Sequence, residues 1–310
     1  MNTSSQDCPF FCYPYSLDCS LLMTPAIQWY PGHIAKAEKA LIEQLKRVDV
    51  VLEVRDARIP LATRHPRIDH WVGTKERILV INRVDMIPSA ARTAWETWLR
   101  AQGETPYFTD AQQGKGVAGI AKAAQTAGTS MNQRRRDRGM RPRAVRAVVI
   151  GFPNVGKSAL INRLLKKKVV ESARKPGVTR QLRWIRIADD LELLDAPGIL
   201  PAQLKDQEAA LRLAVCDDIG QAAYDNQRIA WGLIELFKAL ESQGQEVSYL
   251  GALRDRYTLP VAELTGESYL QHMAEVRYQG DRERAARSLL RDYRVGHLGN
   301  LPLEWPAHNA

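Results

Sequence analysis

Gly151-Phe152-Pro153-Asn154-Val155-Gly156-Lys157-Ser158 fits G-x-x-x-x-G-K-[ST], the phosphate-binding loop of nucleotide triphosphatases. Ala144 to Ile150 before it reads as a strand, and Ser158 to Leu165 after it reads as a helix. That strand–loop–helix context is what the motif requires. Its glycines let backbone N–H groups curl around a phosphate, and the helix N-terminus adds its partial positive charge. The amides of Asn154, Val155, Gly156, Lys157, Ser158 and Ala159 form the candidate cradle. Lys157 is assigned to the β- and γ-phosphates and Ser158 to Mg²⁺.

The base is read elsewhere. After the short apolar strand Ile78 to Ile81 comes Asn82-Arg83-Val84-Asp85, close to the guanine-reading N-K-x-D of GTPases. A carboxylate at Asp85 accepts from guanine N1–H and the 2-amino group. Adenine offers neither donor, and a carboxylate left unpaired is costly. Arg83 stands where Lys is usual; its stem can lie along the base and its guanidinium can stack. Downstream of the phosphate loop, Thr179 in Pro176-Gly177-Val178-Thr179 reads as the switch threonine that completes Mg²⁺ coordination. Asp195-Ala196-Pro197-Gly198 is D-x-x-G, with Asp195 in the metal shell and the Gly198 amide facing the γ-phosphate. The loop Phe108 to Gly116 stands where S-A-K is usual, which leaves the Ala111 amide as its base contact.

The order of these parts is unusual. Ordinary GTPases run phosphate loop, threonine, D-x-x-G, guanine motif; here the guanine motif comes first. The strand-like Val48 to Val54 takes the place of the strand that normally follows D-x-x-G. The expected fold is therefore an α/β phosphate-loop GTPase fold, circularly permuted. It has a mostly parallel sheet flanked by helices and a small all-α C-terminal domain.

Together with Trp29-Tyr30-Pro31-Gly32-His33-Ile34-Ala35-Lys36-Ala37 and Asp56-Ala57-Arg58-Ile59-Pro60, these motifs make residues Pro25 to Leu200 resemble the ribosome biogenesis GTPase A type of circularly permuted GTPase. The resemblance continues less distinctly to about Leu298. It implies GTP hydrolysis coupled to late maturation of the large ribosomal subunit, whose precursor and rRNA are the expected partners.

Ile199 follows D-x-x-G where many GTPases carry a water-orienting Gln. The apolar-periodic segment from His33 to Lys46 replaces the helix that usually follows D-x-x-G, so His33 is expected near the γ-phosphate. A neutral imidazole there orients water or accepts a proton near pH 7, a role the family's matching His supports. A His that merely starts the helix or binds RNA is the plainer reading. Asn154, in GTPases that carry Asn in this loop, helps bind K⁺, although Asn is also a common loop residue.

The chain has 310 residues, 45% of them hydrophobic, and a net charge of +9. That is room for two domains and ample core. From Leu204 on, 12 basic and 16 acidic side chains give −4, so the first 203 residues carry +13. Arg134-Arg135-Arg136-Asp137-Arg138 with Arg141 and Arg143, and Arg163 to Lys168, predict polyanion contact, most simply with rRNA phosphates. The alternative for the first stretch is a solvated linker, and Ser130 to Arg143 reads as a flexible joint. No membrane and no DNA partner is expected, and the chain reads as a cytoplasmic monomer. Cys8, Cys12 and Cys19 fall in residues 1–22, which do not fit the rest and read as an upstream-start or disordered extension. Cys216 alone remains in the body, which suits a reducing compartment. The expected divisions are 23–203 for the GTPase domain, 204–298 for the helical domain and 299–310 for a tail. The rival readings are an RNA-modification or translational GTPase, an RNA-binding module with a vestigial nucleotide site, and a phosphate-loop kinase. The absence of an added catalytic domain, the intact site residues, and Asn82 with Asp85 argue against them in turn.

Overall fold

The computed structural model describes residue 27 and residues 34–166, 183–201, 204–221, 224–261 and 264–307. His33, Thr179, Lys167, Lys168 and the extension 1–22 lie outside the described residues. Among the described residues, six strands form one sheet in the order β3-β2-β1-β4-β6-β5. They are β1 (Val50–Asp56), β2 (Glu76–Asn82), β3 (Pro106–Thr109), β4 (Val145–Ile150), β5 (Arg183–Ala188) and β6 (Leu191–Asp195). All neighbouring pairs are parallel except β5 with β6. The phosphate-loop strand β4 sits mid-sheet although it is fourth in the chain. The guanine-motif strand β2 precedes it in sequence, as the permuted order requires.

The central strand β1, Val50-Val51-Leu52-Glu53-Val54-Arg55-Asp56, is buried at all seven positions, as a strand covered on both faces must be. Its two mid-strand charges are tolerated because they pair: Arg55 Nε donates to Glu53 at 2.6 Å, and Arg77 reaches the same carboxylate at 3.3 Å. One face of the sheet is covered by α1 (Ile34–Leu45) and α2 (Ile68–Val72), where Leu41, Leu45, Ile68 and Trp71 meet Val51, Val148 and Leu194. α3 (Ser89–Ala101) seats Trp95 and Leu99 on β2. α4 (Val117–Asp137) and α5 (Lys157–Leu164) pack on the remaining core.

His65 is buried in the β1–α2 connection, stacked on Trp71 with ring centroids 4.1 Å apart, and its Nδ1 accepts from the Arg67 N–H at 3.1 Å. Burial pulls its pKa from 6.5 down to about 4. Because the folded value lies below the unfolded one, the unfolded chain binds the extra proton as pH falls. His65 thus supports the fold above pH 6.5, and that support is lost progressively towards pH 4. Urea denaturation at pH 7.5 and pH 5 is expected to differ by about 2 kcal/mol through this residue. His65→Gln should flatten that dependence; an unchanged slope would count against the assignment.

The stretch Ser130 to Arg143 departs from the flexible joint expected of it. α4 runs on to Asp137, and Asn132 then holds the returning chain at both ends of one residue. Its Nδ2 donates to Arg143 O at 2.9 Å and its Oδ1 accepts from Arg143 N at 3.0 Å. Arg143 itself makes a two-pronged pair with Asp49 at 2.8 and 2.9 Å.

The region after the sheet is helical: α6 (Gln207–Cys216), α7 (Asn226–Glu241), α8 (Tyr249–Tyr257), α9 (Gly266–Tyr278) and α10 (Arg282–Arg294). Asp206, Asp225, Ser248, Thr265 and Asp281 begin them, each accepting from a first-turn N–H, which explains why the helices start there. α7 is the hub on which the other four pack. The core is continuous from β1 and β4 into α6, α7 and α10. The expected tail is built in: Leu301, Leu303 and Glu304 are buried. Leu303 N and Glu304 N donate to Arg58 O, and the Glu304 carboxylate accepts from Leu61 N at 2.6 Å and Ala62 N at 3.0 Å.

Candidate nucleotide-binding site

The loops at the C-terminal ends of β4, β2, β3 and β6 converge, the usual ligand position in an open parallel sheet. Asn82, the last residue of β2, ties three of these together. Its Nδ2 donates to Val155 O of the phosphate loop at 2.8 Å, while its Oδ1 accepts from Thr109 Oγ1 at 3.2 Å and Ala111 N at 3.0 Å. The Ala111 amide, expected on the base, is thus already donating to Asn82. Gly156, at φ +99°, has a reason to be glycine beyond its backbone: a Cβ there would lie 2.1 Å from Asn82 Nδ2.

Lys157 is buried, and its Nζ donates to Gly151 O at 3.1 Å and Phe152 O at 2.6 Å. Burial lowers its pKa to about 8, against the opposing fields of Asp195 and Asp218. Ser158 follows on the first turn of α5, half-buried. Asp195 ends β6, buried, and Gly198 crosses the phosphate loop so closely that a Cβ would meet Pro153 N at 2.6 Å. Ile199 is anchored in the core beneath α1, with its N–H on Gly151 O at 3.3 Å. The donor set fits a hard divalent cation beside phosphates: one hydroxyl, one buried carboxylate, and the amides of a helix start.

Asp85 lies exposed in a short 3₁₀ turn, Val84–Met86. Desolvation by the surrounding loops and then the Asp110 carboxylate push its pKa up. Asp110 does not face outward; its Oδ1 accepts from Gln112 N and Gln113 N and shapes the base loop. Arg83 takes the left-handed conformation at φ +64° and turns away from the base side. Its Nη2 donates to Asn154 O at 2.5 Å and its Nη1 lies 3.3 Å from Asp56. Asn154, also left-handed at φ +55°, donates through Nδ2 to Asp217 O at the end of α6, at 2.6 Å.

Arg163 was expected among the RNA contacts. It instead clamps the base loop, donating to Ala111 O at 3.4 Å and to Gln112 O, with its stem over Gly114. Sequence reasoning missed Asp217 and Asp218, and nothing local in the sequence signals that Arg294 of α10 bonds the carbonyls ending α6, Ala214 O at 2.7 Å and Val215 O at 2.8 Å.

A family model described as "50S ribosome-binding GTPase" matches residues 146–246, from β4 to just beyond α7. Ribosome biogenesis GTPase A of Bacillus cereus is 35% identical over 288 residues, covering 90% of this chain and 94% of the relative. Mitochondrial ribosome-associated GTPase 1 of Mus musculus is 30% identical over 302 residues, covering 89% and 90%. Among solved structures, GNP-bound YlqF from T. maritima superposes with a TM-score of 0.58 at 25% identity, covering 87% of this chain and 98% of that one.

Proposed function

The chain belongs to the ribosome biogenesis GTPase A family and is a GTPase, and we propose that it acts in the late maturation of the large ribosomal subunit, gripping the precursor particle when loaded with GTP and leaving it after hydrolysis. One observation carries this reading furthest. Asn82 bonds Val155 across 73 residues of chain, so a guanine motif and a phosphate loop in permuted order share one site.

In the proposed site Asp85 reads guanine, and Asn82 locks the base loop to the phosphate loop rather than touching the base. Arg83 clamps the phosphate loop. Ala111, Asn154, Val155, Gly156, Lys157, Ser158, Ala159 and the Gly198 amide surround the phosphates. Ser158, Thr179 and Asp195 are the assigned holders of Mg²⁺, which when bound neutralises phosphate charge. K⁺ is assigned to the Asn154 side-chain oxygen, since the amide nitrogen is engaged with Asp217. Hydrolysis frees the Thr179 and Asp195 loops, and the shared end of α6 carries that change into the helical region.

Asp85→Asn tests the base assignment. It replaces an acceptor of two charge-assisted hydrogen bonds with a group that presents a donor to guanine's donors. GTP affinity is expected to fall by about 10²–10⁴-fold, with xanthosine triphosphate gaining. Competition titration reads this, and equal affinity of the parent chain for ATP and GTP would remove guanine specificity altogether.

The particle contact is assigned to rRNA on the basic half, and the action to the cytoplasm. Among the described residues, no helix is long and apolar enough to cross a membrane. Arg134, Arg136, Arg138 and Arg141 are exposed and suited to phosphates, whereas Arg143 and Arg163 are engaged internally. A second basic surface is a pocket of 390 Å³ lined by Arg47, Arg146, Arg186, Trp184, Ile185 and Glu192, where Arg146 lies over the Trp184 ring. Binding to large-subunit particles is expected to weaken steeply with salt. Arg134→Glu with Arg136→Glu should lower the log–log salt slope by about one unit per residue, leaving GTP affinity unchanged. A slope equal to the parent's would move the contact elsewhere.

A further inference from the structure

The end of α6 is where the helical region enters the nucleotide site. A helix leaves its last four carbonyls without partners inside the helix. Here three side chains from separate parts of the chain serve them. Arg294 of α10 takes Ala214 O and Val215 O; Arg58, after β1, takes Cys216 O at 3.3 Å; Asn154 of the phosphate loop takes Asp217 O. The connection then closes on itself. Asn154 O accepts from Arg83, Arg83 lies against Asp56, and Asp56 clamps Arg58 at 3.0 and 2.8 Å. The guanine loop, the phosphate loop, the β1–α2 connection and α6 therefore share one ring of polar contacts.

Against this ring lie two unmatched groups. Asp218 is fully buried, and among the described residues neither of its carboxylate oxygens has a hydrogen-bond partner; Arg58 Nη1 is buried and also without one there. Burial, then Asp56, pushes the Asp218 pKa well above the usual carboxylate range, opposed by Arg83 and Arg58, with Asp217 adding to the rise. Lys157 also feels its field. A buried acceptor and a buried donor left unpaired are costly, a cost that pairing them removes.

We propose that Asp218 is a positioning residue of the GTPase site, which pairs with Arg58 Nη1 when nucleotide is bound. This rests on the GTPase reading. When Lys157 is engaged by a phosphate, Arg83 and Arg58 remain to oppose the Asp218 charge; Arg83 is held by Asn154 O and Asp56, which leaves Arg58 Nη1 as the donor to meet it. That pairing draws the end of α6 towards the β1–α2 connection and changes its bond to Asn154. Nucleotide occupancy and the placement of the helical region then become one equilibrium, reciprocal in both directions.

The test uses the full chain, free and with a non-hydrolysable GTP analogue. Binding is followed with a fluorescent guanine nucleotide, and amide exchange is followed across residues 207–221. In the parent, exchange at Asp217, Asp218 and Ile219 is expected to slow by about tenfold or more on binding. Asp218→Asn keeps the shape but loses the charge. By the same coupling it should bind the analogue about tenfold more weakly than the parent, lose the exchange response, and lower kcat. A parent that fails to bind the analogue refutes the GTPase reading instead. A parent that binds but shows equal exchange in both states overturns the proposal, as does an Asp218→Asn chain with parental response and kcat. If Asp218→Asn does not fold, the parent's exchange response and that of Asp218→Ser decide in the same terms.

Discussion

Replacing Lys157 by alanine is expected to lower GTP affinity by about 10²–10³-fold, or about 3–4 kcal/mol. The ammonium is held inside the phosphate loop by Gly151 O and Phe152 O, so the protein itself has desolvated it. Little further dehydration opposes its move to the phosphates, and the attraction acts across a dry interior. Deleting it also leaves the charged phosphates facing Asp195 without the intervening cation. The fold should not suffer, because burial disfavours this charge, as its lowered pKa of about 8 records. Titration with a fluorescent guanine nucleotide reads the affinity and thermal melting reads the fold. Parental affinity, or a loss of affinity that merely follows unfolding, would defeat the assignment.

Replacing His33 by alanine should spare GTP affinity yet slow hydrolysis by about 10²–10⁴-fold, the range of a full general base. The argument comes from the helix that follows. α1 has 12 residues, about 18 Å, and leads by a short turn into β1, so it runs back along the sheet. Gln44 near its end bonds Trp184 at 3.4 Å, whereas Glu38 in its first half reaches Arg67 beyond the C-terminal end of β1 at 2.5 Å. The first residues of α1 therefore face the end of the sheet where the phosphate loop lies. Single-turnover hydrolysis with particles present measures the effect. A His33→Ala chain that hydrolyses at the parental rate would pass the water-orienting role to a group supplied by the particle.

Much of the architecture was legible because its signals are local. Gly156-Lys157-Ser158 carries its own strand and helix. Asp195 to Gly198 is read by its spacing. The permutation was visible because motif order is a property of the chain alone. What stayed hidden depends on groups distant in sequence. Arg163 looked like one of a run of cations, yet the base loop it clamps lies 52 residues upstream. Asn154 offered a ready role at the phosphates, and only the fold brings it to Asp217. Ser130 to Asp137 is polar enough to pass for a joint, but Gly128 lets α4 lie on Val145, and that contact carries the helix onward.

The Glu304 carboxylate grips Leu61 N and Ala62 N from 243 and 242 residues away, and Trp95 reaches Glu304 O at 3.3 Å. The loop it fastens holds Arg58 and follows Asp56, both parts of the ring around the phosphate loop. In folding, then, the nucleotide loops must wait for a distant segment: their motifs precede in the chain the clasp that steadies them, and non-local closures of this kind are slow to form. The nucleotide loops are in this sense fastened from beyond the helical region, like a belt whose buckle lies far from its holes.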